Sequence, residues 1–175
     1  MAQGILIFGA NGSGKTTLGR ELAYILGYKH IDHEEYFFEK LNMPYTVERT
    51  FEKMVELMLA DIKKSSGFVI SAVTGDFGDE IESLYDIAFY LEAPLELRIE
   101  RIMQRGVKQY GQRISEGGDM FEQQKEFIEY VKTHPQSKIE QYAKNLKCPM
   151  IRIDGTVDWR VTVKNIMEEC ECFMK

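Results

Sequence analysis

Apolar residues are laid along this chain in two textures that alternate. Gly4 to Phe8 reads Gly-Ile-Leu-Ile-Phe, a continuous apolar run of strand length. It predicts a central parallel strand covered on both faces. Beyond it Leu18, Leu22, Ile25 and Leu26 recur at helical spacing, and Gly27 stands where a C-cap is wanted. A short second strand is expected through His30, Ile31 and Asp32. The pattern then predicts a helical region entered after Pro44, with Val47, Phe51, Met54, Val55, Met58 and Ile62 on one face. Ser65-Ser66-Gly67 closes it, and Phe68 to Val73 and Ile87 to Leu91 are two more buried runs.

Pro94 predicts the start of a helix with Leu95, Ile99, Ile102 and Met103 as its stripe. Residues 106–118 carry Gly106, Gly111, Gly117 and Gly118 with little periodicity, and predict a mobile loop. Asp119 with Glu122 three residues on predicts a capping-box helix start. Pro135 opens another helix with Ile139, Tyr142, Ala143 and Leu146 inward; Pro149 to Ile153 is the last strand, and a terminal helix follows from about Asp158. Strands separated by helices imply a parallel sheet with right-handed crossovers, hence a three-layer α/β/α sandwich.

Composition narrows the class of partner. At 175 residues, with 44% apolar and 29% charged positions, the chain suits one domain spanning 1–175. With 22 basic against 28 acidic residues and a net charge of -6, bulk charge does not favour gripping nucleic acid. The run at 4–8 is too short for a leader or a membrane span. Cys148, Cys170 and Cys172 are expected to be reduced thiols of a cytoplasmic protein. The last two lie on the terminal helix without a second pair, so no zinc is expected. Oligomeric state is not readable.

The strongest chemical signal is Gly9-Ala10-Asn11-Gly12-Ser13-Gly14-Lys15-Thr16, which fits G-x-x-x-x-G-K-[ST] at every fixed position, after a strand and before a helix. The glycines let successive N–H groups converge on one concavity, which opens onto the helix N-terminus and so favours phosphate. Gly9, Asn11, Gly12, Ser13, Gly14, Lys15, Thr16 and the next residue, Thr17, are the expected nucleotide-binding set. Lys15 is placed for the β- and γ-phosphates and Thr16 for Mg2+. Asn145-Leu146-Lys147-Cys148 lacks the guanine-reading Asn-Lys-x-Asp pattern, so a GTPase is disfavoured. Asp76-Phe77-Gly78 spells a protein-kinase triplet without the matching catalytic loop, and is a decoy.

What remains resembles the P-loop family of small-molecule and nucleoside-monophosphate kinases, adenylate kinases and shikimate kinases among them. Four features carry the resemblance: the loop from Gly9 to Thr16; Asp32 within His30-Ile31-Asp32-His33-Glu34-Glu35; Tyr90-Leu91-Glu92-Ala93-Pro94 followed by Arg98, Arg101 and Arg105; and Ile151-Arg152-Ile153-Asp154-Gly155-Thr156. The resemblance implies a five-stranded parallel sheet of order 2-3-1-4-5, a P-loop NTPase fold with a small lid near 106–118, and an acceptor-binding helical region near 34–64. It also implies that Asp154, Gly155 and Thr156 contact the adenine of ATP. The chain departs from adenylate kinases in lacking their acceptor-phosphate arginines and zinc cysteines, and from shikimate kinases in having Gly75 alone where they carry a glycine run.

Arg98, Arg101 and Arg105 fall within about 60° on one helix face. Arg105 and Arg113 are the expected lid arginines, delivering positive charge to the transferred phosphate; a solvated basic face is the alternative. Asp32, at the carboxyl end of a strand, would orient Mg2+-bound water or the acceptor, or else cap a helix or turn. Glu34 and Glu35 read as a charged loop and His33 as a surface histidine. Arg49, with Tyr36, Phe37, Phe38 and Tyr45, could form an aromatic-walled acceptor pocket with one cation, although core packing explains the aromatics equally well. The expected activity is ATP- and Mg2+-dependent transfer of the γ-phosphate to a small-molecule acceptor, with Lys15, Arg105, Arg113 and Asp32 as the catalytic set. A nucleotide-binding regulator or slow ATPase without an acceptor is the alternative.

Overall fold

The computed structural model describes residues 3–41 and 43–172, with side chains through Glu169. Five strands lie within it: β1 (Gly4–Phe8), β2 (Lys29–Asp32), β3 (Phe68–Ala72), β4 (Ile87–Glu92) and β5 (Met150–Asp154). All pairs are parallel and the order is β2-β3-β1-β4-β5. This is the order that the resemblance implied.

The unbroken apolar runs are explained by the layers. On β1 Leu6 and Phe8 face one side, where Met54, Met58, Ile139 and Ala143 pack. Those four come from α3 (Phe51–Ile62) and α7 (Ser137–Asn145). Ile5 and Ile7 face the other side, against Leu18, Leu22, Val163 and Ile166. These come from α1 (Lys15–Leu26) and α8 (Trp159–Cys172). A strand with helices on both faces has no polar side to offer, so alternation vanishes from its sequence. Each such aliphatic chain taken fully from water contributes ~1.5–3 kcal/mol.

Four elements differ from the sequence reading. The helix expected after Pro44 starts only at Phe51, where the Thr50 side chain accepts from the Lys53 amide. Residues 38–41 and 43–49 instead form a hairpin-like strap, closed by the Phe38–Glu48 bridge and by the Glu39 amide donating to the Val47 carbonyl at 2.8 Å. The segment read as a charged loop after Asp32 is a short helix, α2 (His33–Phe37), capped by the Asp32 carboxylate.

The third difference lies in the segment expected to be loop from 106. Helix α5 runs Leu95–Tyr110 and passes straight through Gly106, followed by a 3-10 turn, Gly111–Ile114. A Cβ on Gly106 would come 3.0 Å from Ile114 and 3.2 Å from Gln124. Close packing between helix, turn and α6 (Phe121–Thr133) thus offsets the ~1 kcal/mol that glycine costs a helix interior. Nor does Asp119 cap α6, whose N-cap is Met120 without a side-chain bond. Its carboxylate is taken by the Arg113 fork, at 2.8 and 3.0 Å, a bidentate pairing stronger than a cap.

Candidate active site

Where β1 ends the chain turns back over the sheet. Gly9 and Gly12 have φ of 146° and 80°, a region open to glycine but strained for other residues. A Cβ on Gly12 would lie 2.5 Å from the Arg98 carbonyl, so the loop is pressed against α5 and admits no side chain there. The first amides of α1 have no capping side chain at Gly14 and are left to a ligand. Ser71, on β3, donates to the Lys15 carbonyl at 3.1 Å and pairs with His30 at 3.0 Å, tying the start of α1 to the sheet.

Lys15 is 9% exposed and its Nζ donates to the Ala10 carbonyl at 2.9 Å. Burial lowers its pKa to about 8, against the pull of Glu34 and Asp32. Burial together with the neighbouring Asp32 pushes the Glu34 carboxyl above its ordinary range, while Arg105 and Lys15 hold it down. His33 is held below its ordinary value, mainly by burial, and its ring lies between Phe37 and Phe77 at 5.5 and 5.2 Å. Asp32 accepts the Glu34 amide through Oδ1 at 3.2 Å, which leaves Oδ2 without a hydrogen bond among the described residues.

The four arginines of the α5 region have separate fates. Arg98, 4% exposed, donates to the Ala93 and Asn11 carbonyls, each at 3.2 Å. Arg101 donates to the Ser13 and Gly155 carbonyls, each at 2.9 Å. Both fasten the phosphate loop from behind. Arg105, one turn further, makes no hydrogen bond among the described residues and lines the cleft. Arg113 is held by Asp119, and does not line it. Arg49 also lies outside the lining: it donates to the Tyr36 carbonyl at 2.9 Å and to those of Phe38 and Glu35, capping the last turn of α2.

Above the loop opens a cleft of about 1060 Å³. Its lining includes Asn11 to Thr17, Asp32 and Glu34, and also Gly155, Thr156 and Trp159, with Lys108 on α5. The Asp154 carboxylate accepts from the Thr156 amide and hydroxyl at 2.8 and 2.7 Å, holding that turn in shape. A second cavity of about 330 Å³ lies beneath the strap. The two share Thr16, Arg20, Asp32, Glu34, Arg105 and Gln109.

Of the expected residues the structure therefore brings Asn11 to Thr17, Asp32, Arg105, Gly155 and Thr156 together around one space. Arg20, Glu34, Gln109 and Trp159 also face it. Arg20 had a readable signal, since it follows Thr16 by four residues on one helix face. Among the described residues no cluster of three or more His, Cys, Asp or Glu could cage a metal. No described helix is long and apolar enough to cross a membrane. Cys148 is a free thiol; the side chains of Cys170 and Cys172 fall outside the described residues.

Known proteins resemble this chain in sequence and in fold. The family described as AAA domain matches residues 5–126. The uncharacterized protein YqaC of Bacillus subtilis (strain 168) is 26% identical, over 96% of this chain and 97% of its own. A shikimate kinase of Clostridium botulinum (strain 657 / Type Ba4) is 34% identical, over 59% of this chain and 67% of the enzyme. The solved structure of deoxyadenosine kinase from M. mycoides with dCMP and dCDP bound superposes with a TM-score of 0.58 at 20% identity, covering 97% of this chain and 99% of that one.

Proposed function

The chain belongs to the AAA domain family and is a P-loop kinase, and on that footing we propose that it transfers the γ-phosphate of ATP, with Mg2+, to a hydroxyl of a small molecule. The observation that carries this reading is the junction of the two cavities. A phosphoryl donor and its acceptor must meet end to end, with attacking and leaving oxygens in line. The six residues common to both spaces stand where that meeting would occur, and Thr16, Asp32, Glu34 and Arg105 supply the needed chemistry.

The loop amides and the N-terminus of α1 receive the triphosphate. Lys15 leaves the Ala10 carbonyl for the β- and γ-phosphates, whose charge restores its full protonation. The Thr16 hydroxyl and the unbonded Oδ2 of Asp32, the latter through water, would hold the magnesium. Two protein oxygens suit an ion that keeps several waters and shares phosphate ligands. It would supply positive charge that offsets the charge developing on the phosphates.

The acceptor oxygen forms its bond to Pγ as the bond from Pγ to the β,γ-bridging oxygen breaks, and ADP leaves. The hydroxyl proton passes to the Glu34 carboxylate, whose raised proton affinity suits a base. Arg105 faces the charge spread over the transferring group. The turn at Asp154, Gly155 and Thr156 borders the nucleoside end, and the segments 34–64 and 106–118 serve as acceptor region and lid of one domain. Arg49 and Arg113, occupied elsewhere, have no part in it. The protein acts in the cytoplasm on nucleotide and metabolite, without nucleic acid.

The test is acceptor-stimulated ADP release across nucleosides, nucleotides, sugars and hydroxy acids, with Lys15→Ala as control. Stimulation by at least one compound, abolished in the variant, is the expected result. A flat response from a protein that still binds ATP would make it a slow ATPase or regulator.

A further inference from the structure

The larger cleft crosses the carboxyl ends of the strands, and the sheet order tells its two sides apart. The phosphate loop follows β1 at the centre; Asp32 closes β2 at one edge, and the turn at 155–159 follows β5 at the other. The second cavity shares Asp32 and Glu34 with the cleft but none of residues 155–159. With the acceptor at the β2 edge, the nucleoside of the donor falls at the β5 edge. Resting on the reading above, we infer that Trp159 is the platform on which the donor's base stacks. The site holds this base by its face without reading its edge, and so takes GTP as readily as ATP.

Two rings line the cleft among the described residues, His33 at the β2 edge and Trp159 at the β5 edge. An indole offers contact to any base, because every base has a π face. This one is held in advance. It packs on the core that α1 and α8 close against the sheet. The Arg160 guanidinium, which does not line the cleft, covers one face at 4.6 Å from the ring centroid. That leaves the opposite side of the indole to the core and the cleft. A ring fixed in this way loses little freedom when a base settles on it.

Adenine and guanine differ at the edge, where one carries an amino group and the other a carbonyl. Telling them apart takes a donor or acceptor kept free for one of the two. Here the side chains of the turn are spent on the turn itself. The Asp154 carboxylate is taken by Thr156, and that of Asp158 accepts from the Arg160 amide and guanidinium at 2.9 and 3.2 Å. The Thr162 hydroxyl donates to the Asp158 carbonyl at 3.2 Å. The Gly155 and Val157 amides donate to the Glu92 and Asp154 carbonyls at 2.6 and 3.3 Å. Gln104 donates to Glu100 at 2.9 Å. Thr17 and Lys108 line the cleft without a side-chain hydrogen bond among the described residues. A hydroxyl that both gives and accepts, and an ammonium on a flexible stem, suit either purine.

The experiment follows the fluorescence of Trp159, the only tryptophan of the chain, as the full protein with Mg2+ is titrated with ATP, GTP and inorganic tripolyphosphate. ATP and GTP should both shift it, with Kd values within about tenfold of each other. Tripolyphosphate, followed by calorimetry, should bind at least about tenfold more weakly and leave the emission unmoved. Trp159→Ala should weaken both nucleotides about tenfold or more and spare tripolyphosphate, which a general loss of structure would not. Should that variant fail to fold, Trp159→Leu keeps apolar bulk without the aromatic plane and carries the same expectation. A preference beyond about tenfold for either nucleotide, or unchanged nucleotide affinity in the folded variant, overturns the inference while the kinase reading stands. No uptake of either nucleotide overturns the kinase reading and this inference with it.

Discussion

The two ends of the site are built from different materials. The phosphate end is made of backbone: Gly9 and Gly12 set its curve, the first amides of α1 line it, and Arg98 and Arg101 grip its carbonyls from behind. The end proposed for the acceptor is made of side chains on a strap held by a few hydrogen bonds. A backbone cradle is bound to one local sequence pattern, because only glycine admits its dihedrals and its close approach to α5. A side-chain cavity can be rebuilt residue by residue without disturbing the fold. The first end therefore fixes the donor, and the second is free to choose the acceptor.

Breaking the phosphate end should have the largest effect. Lys15→Ala removes the buried cation facing the triphosphate, and phosphoryl transfer should fall about 10³-fold or more with the fold intact. Circular dichroism alongside single-turnover assays checks both halves of that statement. At the junction, Glu34→Gln should lower kcat by about 10²–10⁴-fold with ATP binding preserved. An unaltered kcat would remove Glu34 from the reaction.

Arg101→Gln cuts both bonds from α5 to the phosphate loop and the β5–α8 turn. Losing these partly buried, charge-assisted bonds should cost about 1–3 kcal/mol, read as a lower Tm together with weaker ATP binding. The surface pair of Arg113 with Asp119 provides the contrast. Arg113→Gln should leave turnover and ATP affinity close to wild type, since exposed ion pairs contribute little.

A further effect is a proton. Lys15 has a pKa of about 8, and a triphosphate favours its charged form. Above pH 8 binding must take up a proton, so ATP affinity falls as pH rises, by up to about tenfold per unit; well below 8 Lys15 adds no dependence. Calorimetry at pH 9 in buffers of different ionisation enthalpy measures the uptake directly.

The same contrast explains what the sequence could convey. The strand runs and the glycine loop are local patterns with one physical solution, and resemblance supplied the sheet order. The fate of the arginines was hidden. Arg98, Arg101 and Arg105 share a helix face, but only the loop packed against that face decides that the first two meet carbonyls and the third meets open space. Gly106 looked like a loop residue because its need is tertiary, a close approach of Ile114 and Gln124. Arg49 looked like a pocket cation because nothing local announces that α2 ends beside it. Glu34 looked like surface charge until one turn of helix carried it back over Lys15.

The most direct test is to follow the label from [γ-³²P]ATP and Mg2+ through the purified full chain supplied with a pool of small metabolites. The account predicts radiolabel on an organic acceptor, absent from Lys15→Ala. Label recovered only as inorganic phosphate, or retained wholly in ATP, would contradict it.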